Sequence, residues 1–410
     1  MNNSGKMILA EGQEYSLDCY KTQLNNNVLV VGTSGAGKTR SIVTPNLLEA
    51  TGSYVVSDPK GNLYNKYKNY LEGKGYEVKK LDFTDPLNSD KYNFFHYIET
   101  TQDIVSVAHM LVYGEKSLGK GSYDPFWDEA SQLLLQALIA YLKEGFKEDE
   151  QNLHNVLRLV NLCNSSGDLE CATTTMDRMM EDHRRKYEDS FAVNNYDKFR
   201  VAASRTLRSI LISVNTKLGL WDTPEVKEMT SGDDMDLTSI GQKKTAIFVI
   251  VSDTDRAMDQ LANIFFTQAM NQLCRYADKH CEDNRLPIPV RFILDDFATN
   301  CKIAEFPRMI ASIRSRGIST MLMIQAESQL TKGYGDDDST IIGNCDTYVY
   351  LGGNDVKTAE AVAERCDLPL KRILNMPVGT NWIFRRGQEP VNATNFNLDK
   401  YLAERLEGAR

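Results

Sequence analysis

Val28-Leu29-Val30-Val31-Gly32-Thr33-Ser34-Gly35-Ala36-Gly37-Lys38-Thr39 is an apolar run that ends in G-x-x-x-x-G-K-T. The aliphatic run reads as a buried strand, and the glycines after it read as a loop that wraps closely around an anion. A triphosphate needs backbone N–H groups close by, and side chains in the loop would block that approach. Lys38 then reaches the β- and γ-phosphates, the Thr39 hydroxyl ligates magnesium, and Arg40-Ser41-Ile42-Val43 opens a helix whose N-terminus faces the phosphates. The stretch therefore predicts a site for ATP and Mg2+ bound by Gly32, Thr33, Ser34, Gly35, Ala36, Gly37, Lys38, Thr39 and Arg40.

The second half of such a site, the Walker B strand, ends in acid. Val290-Arg291-Phe292-Ile293-Leu294-Asp295-Asp296 is the best candidate, 257 positions beyond Lys38. Asp295 has the apolar lead-in of the carboxylate that holds magnesium through a water, and Asp296 sits where a base would orient the attacking water. The alternative is a pair of strand-end carboxylates in a turn. The two strands are expected side by side in one parallel sheet, so their separation in sequence suggests an insertion.

Charge and periodicity locate the insertion. Residues 94–236 hold 15 Lys plus Arg against 24 Asp plus Glu, so this segment carries the whole net charge of −9 and the remainder is neutral. An acidic total argues against indiscriminate nucleic-acid binding, which depends on Lys and Arg displacing counter-ions from phosphates. The same segment shows apolar residues at helical spacing over 101–113, 127–143, 153–162 and 197–218, whereas strands are predicted over 53–57, 76–83, 245–251, 319–324, 347–351 and 382–384. A helix is predicted over 259–278, and Gly333 to Ser339 reads as a loop. The expected fold is therefore α/β: a P-loop nucleotide-binding domain with a central, mainly parallel sheet in two parts, residues 1–93 and 237–410, interrupted by an all-α domain at 94–236.

At 410 residues, 42% of them hydrophobic and 25% charged, the chain has the make-up of a soluble globular protein of more than one domain. It contains no run of eighteen apolar residues and no signal-peptide pattern, so a cytoplasmic protein that does not itself cross a membrane is expected. Eight scattered cysteines without a C-x-x-C pair argue against zinc sites and a disulfide framework.

Three further features admit two readings each. Arg314 and Arg316, in Ile313-Arg314-Ser315-Arg316-Gly317, are either solvated arginines or the source of a cation that neutralises charge developing on a γ-phosphate, often across a subunit boundary. Gln325 ends an apolar strand on the edge where open α/β sheets bind ligands, and either senses the phosphate or caps the strand. Ser57-Asp58-Pro59-Lys60-Gly61 is an ordinary turn, yet Asp58 ends a strand on that same edge. The aromatic cluster Tyr123-Asp124-Pro125-Phe126-Trp127 reads as the start of a helix packed into the insert's core.

Taken in order, Gly32 to Thr39, Ser57 to Gly61, Tyr92-Asn93-Phe94, Phe126-Trp127, Leu294-Asp295-Asp296-Phe297-Ala298, Arg314-Ser315-Arg316-Gly317-Ile318 and Ile324-Gln325 resemble the TraG-type coupling proteins of conjugative type IV secretion systems, within the FtsK and HerA group of DNA pumps. The likeness covers nearly the whole chain. It implies a RecA-like motor domain carrying a helical insert, six copies in a ring with ATP between subunits, Arg314 as the finger acting across that interface, and Gln325 as the sensor. It also implies a position at the cytoplasmic face of the bacterial membrane and channel components of the secretion system as partners. The insert would receive cargo, a relaxase or other secreted protein with its single-stranded DNA, and its acidic balance agrees with receiving protein rather than holding DNA. Two features depart from the family: Asp296 stands where Glu is usual, and the membrane helices that usually begin these proteins are missing, so the anchor was removed or is a separate chain. An ATP-driven translocation motor is the first functional expectation, and an ATP-binding adaptor with negligible hydrolysis is the alternative.

Overall fold

Val28 to Val31 are fully buried because strand neighbours flank them on both sides and helices cover them, which is why the run is continuously apolar rather than alternating. The computed structural model describes residues 5–113, 126–164, 173–201, 204–297, 299 and 301–407. Tyr123, Asp124 and Pro125 of the aromatic cluster, and Ala298, lie outside the described residues. The strands are β1 (Lys6–Ala10), β2 (Gln13–Ser16), β3 (Val28–Val31), β4 (Ser53–Ser57), β5 (Glu77–Asp82), β6 (Thr245–Ile250), β7 (Val290–Leu294), β8 (Ile318–Ile324), β9 (Thr347–Tyr350), β10 (Thr380–Arg385) and β11 (Val391–Thr394). Strands β1 and β2 form an antiparallel hairpin. The other nine form one sheet in the order β11-β10-β9-β3-β8-β7-β4-β6-β5.

Strands β9, β3, β8, β7, β4 and β6 run parallel, and β10 and β11 turn antiparallel at one edge. The order corrects one expectation. β8 stands between the P-loop strand β3 and the acid-bearing strand β7, pairing Val31 with Ile324 on one side and Leu294 with Leu322 on the other. Two ladder spacings of about 4.8 Å separate β3 from β7, a gap that the loop and helix start after β3 span easily.

Chain contacts divide the described residues into two units: Met1–Lys80 with Asp236–Thr254 and Ala269–Arg410, and Leu81–Met235 with Asp255–Gln268. The second unit thus begins before residue 94 and also takes in a segment from beyond 236. It is built from helices: Thr101–Tyr113, Phe126–Gly145, Leu153–Leu162, Thr175–Lys186, Phe191–Arg200 and Ser204–Leu218. Phe126–Gly145 is its central member, with Leu134, Leu138 and Ile139 buried, and its buried Asp128 pairs with Lys217. Within the helical span expected over 197–218, the described residues form the end of the helix Phe191–Arg200 and the helix Ser204–Leu218, and 202–203 lie outside the described residues.

In the first unit, Gly333 to Ser339 is not a loop. It falls on the helix Ser328–Tyr334, a tight turn Gly335–Asp337 and the helix Asp338–Gly343. Gly and Asp composition argued for irregular chain, but burial of Leu330 and Ile341 and the packing of Tyr334 on Phe297 hold the segment helical. The helix after the P-loop is also irregular: over Lys38–Val43 it widens, with Thr44 N–H donating to Thr39 O, before tightening into Thr44–Leu48. Pro45 explains the bulge, because it lacks the N–H that an α-helix would offer to Ser41 O.

Candidate nucleotide site

The loop after β3 takes its shape from two glycines in the left-handed region, Gly35 at φ 78° and Gly37 at φ 93°. Gly32 N–H donates to Ile324 O and Thr33 N–H to Gly352 O, which fixes the loop against the ends of β8 and β9. Lys38 folds under it and is only 9% exposed, with Nζ donating to Gly32 O at 2.6 Å and Thr33 O at 3.3 Å. Burial pulls this ammonium below its usual range, while Asp295 and Asp296 push it back up.

The two halves separated by 256 positions meet at one contact: Thr39 Oγ1 donates to Asp295 Oδ2 at 3.0 Å. Burial and the neighbouring Asp296 raise the Asp295 carboxyl, with Thr39 and Lys38 opposing. Asp296 directs its N–H to Asp295 Oδ1 at 3.1 Å and holds φ at 50°, a left-handed conformation that Asp tolerates better than most residues. Gln325 lies next to it, its Nε2 3.5 Å from Asp296 Oδ1 and its N–H bonded to Gln329 Oε1 at 2.7 Å.

Asp58 belongs to the same strand-end cluster, and the sequence left its role open. It is 3% exposed, and Oδ2 accepts from Tyr64 N–H at 2.9 Å near the start of the helix Asn62–Gly73. Burial raises its carboxyl to about 6 against the pull of backbone N–H groups, and Asp295 adds to the rise. Ser57 Oγ donates to Asp295 O at 3.2 Å. Asn395, which sequence reasoning missed, donates through Nδ2 to Ala36 O at 3.4 Å, and Asp399 pairs with Arg40. No motif announces either residue, because both reach the loop through tertiary folding of the C-terminal strand and helix.

Arg314 is not in this cluster. It precedes the N-terminal end of β8 and donates through Nη2 to Cys19 O at 3.1 Å, whereas Gln325 follows the C-terminal end of the same strand. A seven-residue strand separates the two ends by roughly 20 Å. Arg316 is held by Asp278 through two contacts of 2.8 Å.

The donor set suits a hard divalent cation. A hydroxyl and a carboxylate converge within 3.0 Å, and a carboxyl that burial and a like charge hold upward gains from a cation beside it. Among the described residues no three His, Cys, Asp or Glu surround a common point. Magnesium that keeps waters and binds substrate phosphates needs no such cage.

The family model described as type IV secretory system conjugative DNA transfer matches residues 3–367. Protein VirD4 of Rhizobium radiobacter is 24% identical over 353 residues, covering 82% of this chain and 47% of that protein. The conjugal transfer protein TraG of Escherichia coli is 23% identical over 362 residues, covering 82% of this chain and 54% of that protein. The chain thus spans about half the length of the curated relatives it matches. Among solved structures, the bacterial conjugative coupling protein TrwB in an unbound form aligns with a TM-score of 0.68 at 19% identity, over 96% of this chain and 89% of that one. TrwB in complex with the non-hydrolysable ATP analogue ADPNP aligns at 0.66 and 18% identity, over 95% and 93%. At these identities the structural likeness speaks to the fold alone.

Proposed function

Because the chain belongs to the type IV secretory system conjugative DNA transfer family, we propose that it is an ATP-hydrolysing coupling protein that recruits relaxase–DNA or protein cargo to a secretion channel and helps to move it. The observation that carries the reading is the 3.0 Å contact between Thr39 and Asp295, which joins the P-loop to the acid-bearing strand. Bound magnesium would neutralise charge on the β- and γ-phosphates. Thr39 and Asp295 would hold that ion, and Lys38 would exchange its loop carbonyls for the phosphates. Asp296 orients the attacking water and takes its proton as the bond to the γ-phosphorus forms and ADP leaves. Gln325, touching Asp296, couples the state of that water to β8.

Arg314, placed far along β8 from its own Asp295, serves the nucleotide of a neighbouring copy, so turnover requires assembly into a ring. The acidic helical unit receives cargo. No helix among the described residues is long and apolar enough to cross a membrane.

Steady-state ATPase at several protein concentrations, with and without single-stranded DNA, tests this. Lys38→Ala is expected to abolish turnover, and the wild type to show DNA stimulation with a cooperative dependence on concentration. The adaptor reading rests on Asp296, whose reach is one methylene shorter than that of the family's Glu; it would be favoured by MgATP binding without turnover at any concentration.

A further inference from the structure

The sheet edge opposite the P-loop carries three arginines around one cavity of about 40 Å³. Tyr54, Arg291 and Ser319 are cross-strand neighbours on β4, β7 and β8, and Arg285 and Arg314 complete the wall. None of the lining residues is acidic. Arg291 is 7% exposed, and its bond from Nε to Ser319 Oγ is long at 3.3 Å. Among the described residues no carboxylate pairs with it and nothing accepts from its Nη1 or Nη2; Tyr54 is the one group that favours its charge against burial. The other two guanidiniums meet only neutral groups: Arg314 the Cys19 carbonyl at 3.1 Å, Arg285 the Ser315 carbonyl at 3.5 Å, the Cys19 sulfur at 3.9 Å and the Tyr20 ring.

A buried guanidinium without a counter-ion is strongly disfavoured, and three around one space make an anion the missing partner. The fork of Arg matches the oxygens of a phosphate. The volume bounds the ligand. Since one water needs about 10–15 Å³ measured this way, the cavity has room for a group the size of a single tetrahedral oxyanion. We propose that this cavity is a second phosphate site, in which Arg291, Arg285 and Arg314 bind one phosphate group. Arg291 and Asp295 are four residues apart on one extended strand, about 13 Å, so the group is not the phosphate of this chain's own P-loop. It is either free phosphate or the terminal phosphate of a nucleotide on a second copy; the latter source rests on the ring reading above.

Inorganic phosphate titrated into the full-length Lys38→Ala protein at constant ionic strength, followed by calorimetry and thermal denaturation, tests the site without any requirement for hydrolysis. Saturable binding and stabilisation are expected, with at least tenfold weaker binding after adding Arg285→Ala or Arg291→Met. Arg291→Met should also raise the melting temperature in phosphate-free buffer, an effect that a merely structural arginine would not produce. Absence of saturable phosphate binding in Lys38→Ala, or binding unchanged by both arginine substitutions, overturns the proposal. Mixing Lys38→Ala with Arg291→Met protein assigns the source: restored ATPase identifies a neighbour's nucleotide, while a phosphate response without restoration identifies free phosphate.

Discussion

Each polar residue at the P-loop edge is defined by what it faces. Lys38 stands against Asp295 and Asp296, with the buried Asp58 beside Asp295, so the cluster holds more carboxylates than ammonium groups. The pH dependence follows. Asp58 has a native pKa of about 6 against 3.8 for the free side chain, so its contribution to stability is full below pH 3.8 and lost as pH rises through 6. Asp58→Asn is expected to stabilise the protein above pH 6, by on the order of 2–3 kcal/mol, and to flatten the fall between pH 4 and 6 in denaturation curves. Equal pH profiles for variant and wild type would remove Asp58 from the cluster's balance. Asp296→Glu is expected to leave ATPase intact or raise it, since the added methylene restores the reach usual in the family; a tenfold loss would show that Asp296 is fitted to its present position.

At the scale of elements, the P-loop and the bulged turn after it set the aim of the backbone N–H groups. Gly37→Ala retains space, the nearest atom to the new Cβ being Ser41 Oγ at 3.5 Å, but forces an L-residue to φ 93°. It is expected to lower stability by about 1–2 kcal/mol and to weaken ATP binding more than that loss explains, as read by calorimetry. Unchanged affinity would mean that the loop reshapes freely. The sequence revealed elements wherever pattern and burial agree. β3 and β7 are fully buried, so their apolar runs were plain, and the helices Thr101–Tyr113 and Leu153–Leu162 show an apolar stripe. The hairpin β1–β2 and strand β11 stayed hidden, because Gln13-Glu14-Tyr15-Ser16 and Val391-Asn392-Ala393-Thr394 are short, partly exposed and largely polar. Gly333 to Ser339 misled for the opposite reason, its helical state being imposed by packing.

At the scale of the whole molecule, the site was legible only in part. Lys38, Thr39 and Asp295 carry a motif, whereas the interposition of β8 and the arrival of Asn395 at the loop follow from topology that no local pattern encodes. Arg314 is a prediction about assembly: it lies at the sheet edge away from its own Asp295, so Arg314→Ala should spare MgATP binding and reduce turnover by two to three orders of magnitude, the effect expected of a lost transition-state cation. Normal ATPase in the assembled variant would contradict the finger role.

The central claim is that Thr39 and Asp295 share one magnesium ion with a bound triphosphate. A double-mutant cycle of Thr39→Ala and Asp295→Asn, read as ATP affinity by calorimetry with magnesium and with chelator, tests it most directly. A coupling of about 1 kcal/mol or more that is present with magnesium and vanishes with chelator is the predicted result. Additive losses that are the same in both conditions would contradict it.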